Sequence, residues 1–354
     1  MRKEKQTSEI KKFIIETLAD GHSKVSTLVA KKFGISRQAI NRYLNNMIRD
    51  GLLIAKGNTR KREYSLKTLV SVKFEFDITA DPDLRDELTD SYDENRVWLK
   101  TIRPLLKNIS LNVLDICQYG FTEMVNNVFD HSEATKLTIG VEHSVARVDL
   151  IVIDNGVGIF HKIQSALGLD DHLHAILELA KGKLTTDPEH HTGEGIFFTS
   201  RMFDALYVES GTLRFVHFKA GEDWLVEAPD KKRDGTAILM SIDPNSKRSA
   251  QEVFNRFSTE LEDYGFTKTK VPVDLARYGD ENLISRSQAK RLLARFDRFK
   301  EVILDFAKVE TIGPAFADEI FRVFVTQHPD IKLLYANANN AVEKMIRRAK
   351  NQPK

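Results

Sequence analysis

Between positions 123 and 236 four short motifs interrupt an otherwise apolar pattern of helices and strands, and their order restricts the fold more than any other feature. The first is Glu123-Met-Val-Asn126-Asn127-Val-Phe-Asp130-His131, inside the helical pattern LDICQYGFTEMVNNVFDH. Spacings of four and eight set Glu123, Asn127 and His131 along one helix face. A carboxylate there can orient or deprotonate a water, and an amide oxygen can complete the octahedral shell of Mg2+. A polar face turned to solvent is the plainer alternative. The second motif, Asp154-Asn-Gly156-Val-Gly158-Ile159, follows the apolar run VDLIVI. A buried Asp at a strand end can accept from an adenine amino group, and glycines let backbone approach a ring; Asn-Gly is also a strong hairpin dipeptide. The third, Thr192-Gly193-Glu-Gly195-Ile196, enters the helical IFFTSRMFD. Amides exposed at a helix N-terminus can cradle phosphates. The fourth, Asp-Gly235-Thr236, opens the strand GTAILMSI, where Thr236 can hydrogen-bond a base through water.

The 354 residues suffice for two or three domains, and 42% hydrophobic with 29% charged residues argues for packed globular structure. No apolar run approaches the ~18–20 residues of a membrane span. The start MRKEKQTSEIKKFIIETLADG is basic with a short, charge-interrupted apolar stretch, not the pattern of a signal peptide. Cys117, the single cysteine, excludes an intramolecular disulfide and a multi-cysteine zinc site. The expected location is the cytoplasm.

The net charge of +2 conceals an asymmetry: residues 1–67 hold 16 Lys and Arg against 6 Asp and Glu, and the remainder holds 37 against 45. A basic head on an acidic body points to a polyanionic partner for the head. Segments 8–19 and 25–33 read as short helices, and Gly34 supplies the turn after the second. Ser36 then N-caps a third helix closed by Gly51. Its buried stripe is Ile40, Tyr43, Leu44, Met47 and Ile48, and its exposed early face carries Arg37, Gln38, Asn41, Arg42 and Asn45. Such side chains read base edges or phosphates from a recognition helix. Two short strands follow around a basic turn with Arg60, Lys61 and Arg62 at its tip. Residues 8–67 resemble a winged helix-turn-helix of bacterial transcription regulators, which implies double-stranded DNA as partner and a homodimer on paired half-sites.

Taken together, the four central motifs resemble the GHKL superfamily of ATP-binding proteins over residues 109–243. The resemblance implies helices on a mixed sheet with ATP and Mg2+ under a mobile lid at about 160–192. By that resemblance Glu123 is the general base, Asn127 the Mg2+ ligand and Asp154 the adenine reader. Gly156 and Gly158 shape the base pocket, Gly193 and Gly195 hold phosphate, and Thr236 supports the base. Asn126, Asp130, His131, Ile159 and Ile196 complete the expected nucleotide contacts. The lid holds His161, His172, His174, His190 and His191. Zinc is conceivable there, but side chains near a triphosphate are the preferred use of these histidines. The segment 84–116 contains no histidine, which disfavours autokinase activity.

Towards the C-terminus, VILDFAKVETIGPAFADEIFRVF joins a buried strand, a Gly313-Pro314 turn and a helix with Ala317, Ile320, Phe321 and Phe324 on one face. This is similar to STAS domains of anti-sigma-factor antagonists over about 270–350. Where phosphorylatable members carry a serine, only Thr311 precedes the turn, which argues against a phospho-switch in cis. Asp318 and Glu319 are expected to favour the helix N-terminus electrostatically rather than act as a catalytic pair. The domain is expected to bind a protein partner or another copy.

The expected architecture is thus multidomain α/β: a winged helix-turn-helix (1–67), a connector (68–108), a GHKL α/β sandwich (109–243), a helical linker (244–263) and a STAS-like α/β domain (264–354). The expected function is an ATP-responsive DNA-binding transcriptional regulator with slow ATPase activity. The alternatives are an anti-sigma-type serine/threonine kinase acting on a partner and an ATP-driven DNA-processing or phage-defence component.

Overall fold

The computed structural model describes residues 2–19, 21–22, 24–58, 62–84, 91–171, 173–184, 193–218, 223–227, 232–258, 265–277 and 281–351. Three helices and a ribbon form the head: α1 (Arg2–Ala19), α2 (Val25–Phe33), α3 (Arg37–Arg49), β1 (Leu53–Lys56) and β2 (Glu63–Leu66), with β1 and β2 antiparallel. Ile10, Ile14, Val29, Ile40, Leu44 and Met47 close a core separate from that of the rest of the chain. Gly34 ends α2 in the left-handed region at φ 64°, and Ser36 Oγ accepts from Ala39 N at 3.2 Å to start α3. The cap residue of α3 is Asp50, and Gly51 lies one position beyond at φ 73°, where a left-handed turn commonly ends a helix. Tyr43 and Ile48 are only partly buried.

Residues 68–108 are not a free connector. β3 (Thr68–Asp77) pairs with β4 (Lys136–Ser144) as the edge of a seven-stranded sheet. α4 (Glu94–Val97) and the wide turns after it place Trp98, Ile102 and Leu106 in the main core. The other strands are β5 (Val148–Asp154), β6 (Ala205–Gly211), β7 (Leu213–Phe218), β8 (Asp223–Glu227) and β9 (Arg233–Ile242), in the order β3-β4-β5-β9-β6-β7-β8. All neighbouring pairs are antiparallel, where a mixed sheet was expected. α5 (Leu111–His131) packs on β5 and β9 with α8 (Gly195–Met202) beside it, and α6 (Ile159–Leu167) packs against β6. The stretch expected to be a polar loop and lid contains two helices, α6 and α7 (Leu173–Lys181). The expected linker carries α9 (Ala250–Arg256), opened by a reciprocal Ser249–Glu252 cap.

The C-terminal block has a parallel sheet of β10 (Lys268–Pro272), β11 (Glu301–Asp305) and β12 (Lys332–Ala336). Around it lie α10 (Arg286–Leu293), α11 (Pro314–Asp318), which passes through a π-helical stretch into α12 (Val325–Gln327), and α13 (Asn340–Lys350). Phe197, Phe257, Phe266 and Phe299 form a chain of ring contacts that carries the core of the middle block into this one. The Asp318 carboxylate is gripped by Arg322 at 2.5 and 2.7 Å, which holds its pKa below the ordinary aspartate value.

Candidate functional site

A cavity of about 310 Å³ opens at the sheet end where Leu137 pairs with Asp154, a volume at the lower end of the ~300–1,000 Å³ range of ligand pockets. α5 contributes Glu123, Asn126, Asn127 and His131 to its wall. The ends of β5 and β9 bring Asp154, Thr236 and Ile238, and the start of α6 brings Gly158, Ile159 and Lys162. Gly193, Gly195 and Ile196 close a third side. Residues far apart in the chain therefore meet, because α5 crosses the sheet face where these strands end. Two predicted residues stand outside the wall. Asp130 is exposed in the last turn of α5, and Gly156 lies against the Ser132 carbonyl, which a Cβ there would meet at 2.0 Å.

One half of the cavity is an apolar slot around a buried carboxylate. Asp154 is 6% exposed, and its Oδ1 accepts from Gly156 N at 2.7 Å. Burial pushes its pKa up, while hydrogen bonds from Gly156 and Thr236 pull it back. Thr236 Oγ1 also accepts from Ile159 N at 3.0 Å, tying β9 to the start of α6. Gly235 sits at φ 72°, and a Cβ there would lie 2.2 Å from the Asp154 carbonyl oxygen, so only glycine fits. Val152 and Ile238 give the slot apolar walls. Such a slot suits a flat heterocycle whose amino group donates to a carboxylate.

The other half is polar. Glu123 titrates at about 7, pushed up first by burial and then by Glu94 and Glu194. Burial also raises Glu194, opposed by Lys183. The chain at Gly195 passes so close that a Cβ would lie 2.0 Å from Glu123 Oε2. Gly193 O accepts from Leu184 N at 3.0 Å, which joins the glycine motif to the segment after α7. Among the described residues no three His, Cys, Asp or Glu side chains are grouped to hold a metal ion. Of the predicted histidines, His161 is exposed and His174 meets Arg291, whereas His172, His190 and His191 lie outside the described residues.

Lys162 escaped sequence reasoning. It lines the cavity from the first turn of α6 and pairs with Glu133 Oε1 at 2.5 Å. Its signal was a lone cation four positions after Gly158, visible only once that glycine is known to start a helix.

On the head, Ser36, Arg37, Gln38, Asn41, Arg42 and Asn45 are all exposed along the start of α3. Arg62 is exposed beside β2, 5.5 Å above the Tyr64 ring, and Arg60 and Lys61 lie outside the described residues. Leu18, Ala19 and Leu66 of the head border Glu142–Asp149 across a small cleft, at the sheet end opposite the cavity.

A family model described as a STAS-like domain of unknown function (DUF4325) matches residues 288–343, from α10 to the first turn of α13. No curated protein gives a match. Among the described residues no helix is long and apolar enough to cross a membrane.

Proposed function

We propose that the middle block is a GHKL-type module that binds ATP with Mg2+, and that the chain is an ATP-responsive transcription regulator whose winged-helix head binds double-stranded DNA. The convergence of Glu123, Asn127, Asp154, Gly193, Gly195 and Thr236 on one cavity carries this reading. In it Asp154 accepts from the adenine amino group, with Thr236 steadying the base. Gly193 and Gly195 border the phosphates, and Lys162 offers them a cation. Asn127 would be the protein's ligand to Mg2+, an ion that neutralises phosphate charge when bound. The exposed polar face of α3 supports the DNA half of the proposal, with a pair of copies on two half-sites. The STAS-like domain offers a surface for a protein partner.

Calorimetry with ATP and with ADP in the presence of Mg2+ tests the central claim. The wild-type chain should release or absorb heat, and the Asp154→Ala chain should not. No heat from the wild type with either nucleotide overturns the reading.

One observation favours a second reading, transfer of phosphate to a partner's serine or threonine. Glu123 titrates at about 7 beside the glycine motif, which suits a general base. Incubation with γ-labelled ATP separates the two: label on protein marks a kinase, and free labelled phosphate or binding alone marks the ATP-responsive regulator.

A further inference from the structure

Helix α7 is covered on every side: Ala175, Ile176, Leu177, Glu178, Leu179, Ala180 and Lys181 are all buried. A surface lid would keep one polar face in water. On one side Leu179, with Leu184 just past the helix end, forms cavity wall. On the other, α7 packs against β10 and the turn Val273–Ala276 of the C-terminal block.

That second seam is ionic. Lys181 is fully buried and donates from Nζ to Glu178 Oε1 at 2.6 Å and to the carbonyls of Arg291 and Ala294 at 3.1 and 3.0 Å. Arg295 donates to the second oxygen of Glu178 and to the Lys183 carbonyl. Thr269 Oγ1 donates to the Lys181 carbonyl at 2.7 Å, and Lys183 Nζ donates to the Arg298 carbonyl at 2.9 Å. Buried charges are tolerated only while their partners stay in place. The seam therefore favours a closed or an open state over a loosened one. The same short segment, 178–184, serves both the cavity and the seam.

We propose that the C-terminal domain is a latch on the ligand cavity: docked through Glu178, Lys181 and Arg295, it holds α7 as the cavity wall, and its release frees α7 and lets the bound ligand leave. By linkage, a ligand in the cavity strengthens docking by the same factor that docking strengthens its binding. The ligand half of this statement rests on the nucleotide reading above. The latch half does not.

Two full-length variants test it. Glu178→Gln leaves the buried Lys181 and the half-buried Arg295 without their counter-charge, and Thr269→Val removes one bond to α7 at nearly constant volume. Hydrogen exchange read by mass spectrometry should show peptides over 173–184 exchanging about tenfold faster in Glu178→Gln and less so in Thr269→Val, with β4, β5 and α5 unchanged. Unaltered protection of 173–184 in both variants overturns the latch. If Glu178→Gln loses protection throughout, Thr269→Val decides. In a second arm, release of Mg-ATP followed by stopped-flow chase should be about fivefold faster in Glu178→Gln than in wild type. Equal rates with a freed α7 overturn the coupling. A wild-type chain that binds no Mg-ATP overturns the nucleotide reading instead, and the exchange arm alone then decides the latch.

Discussion

Replacing Glu123 by Gln keeps the size of the side chain and removes its charge. The native carboxyl titrates at about 7 rather than 4.5, chiefly because burial strips its solvent and then because Glu94 and Glu194 face it. A folded pKa above the unfolded one means that the native state holds this proton more tightly between the two values. Stability therefore falls as pH rises from 4.5 to 7 and stays lowered above that window. At about 1.4 kcal/mol per pH unit the ionised carboxylate destabilises the fold by about 3 kcal/mol at pH 8. Glutamine carries no such penalty. The Glu123→Gln chain should thus exceed wild type by about 3 kcal/mol at pH 8 and by little at pH 4.5. Urea unfolding at both pH values, followed through the fluorescence of the buried Trp98, measures the difference. A gain of equal size at both pH values, or none at pH 8, would refute the electrostatic account. The gain should come with lost turnover, the trade expected where a carboxylate is held in an unfavourable place for chemistry.

The slot around Asp154 predicts that Asp154→Ala weakens ATP binding by at least about tenfold, since a buried charge-assisted hydrogen bond contributes about 1.5–3 kcal/mol; isothermal calorimetry checks it. Gly195→Ala should displace the Glu123 carboxylate, because the added methyl would sit 2.0 Å from Oε2. Turnover should fall more than ATP affinity does, and a steady-state phosphate-release assay with a binding titration separates the two. Arg37→Ala and Arg42→Ala should each weaken DNA retention and lower the slope of log affinity against log salt by about 1, without changing ATP affinity. Gel retardation over a salt series that gives unchanged slopes would remove α3 from the DNA interface.

What could be read from the chain follows how local each signal is. Gly34, Ser36 and the α3 stripe lie within one or two turns of each other, and the head elements match them. The motifs at 123, 154, 193 and 236 are also local, each a glycine or polar residue on or beside a strand or helix, and they meet because β5 and β9 end on the same side of the sheet, where α5 crosses it. Legibility failed where distant partners decide. β3 reads as an exposed extended run until β4, more than 60 residues on, pairs with it. AILELAK falls in the stretch 160–192 that reads as a lid, yet its charged Glu178 and Lys181 are buried. Its burial depends on Arg295 and on the carbonyls of Arg291 and Ala294, over 100 residues away. Within the stretch expected to be a lid, Glu178, Lys181 and Lys183 are satisfied inside a seam rather than by solvent.

The placement of the cavity bears on how ATP would govern DNA. Asp154 and Thr236 stand at one end of the central strands, and the head borders the opposite end at Glu142–Asp149. β5 alone separates the two by roughly 20 Å at about 3.3 Å per residue. A closely paired antiparallel sheet of this kind has no evident second arrangement, and coupling between sites needs an element with two discrete states. The segment 178–184 is better suited, because it touches the cavity on one side and a buried ion cluster on the other. On this view the direct consequence of ATP binding is a change in how the STAS-like domain is held. DNA affinity then responds only as far as that domain constrains the heads.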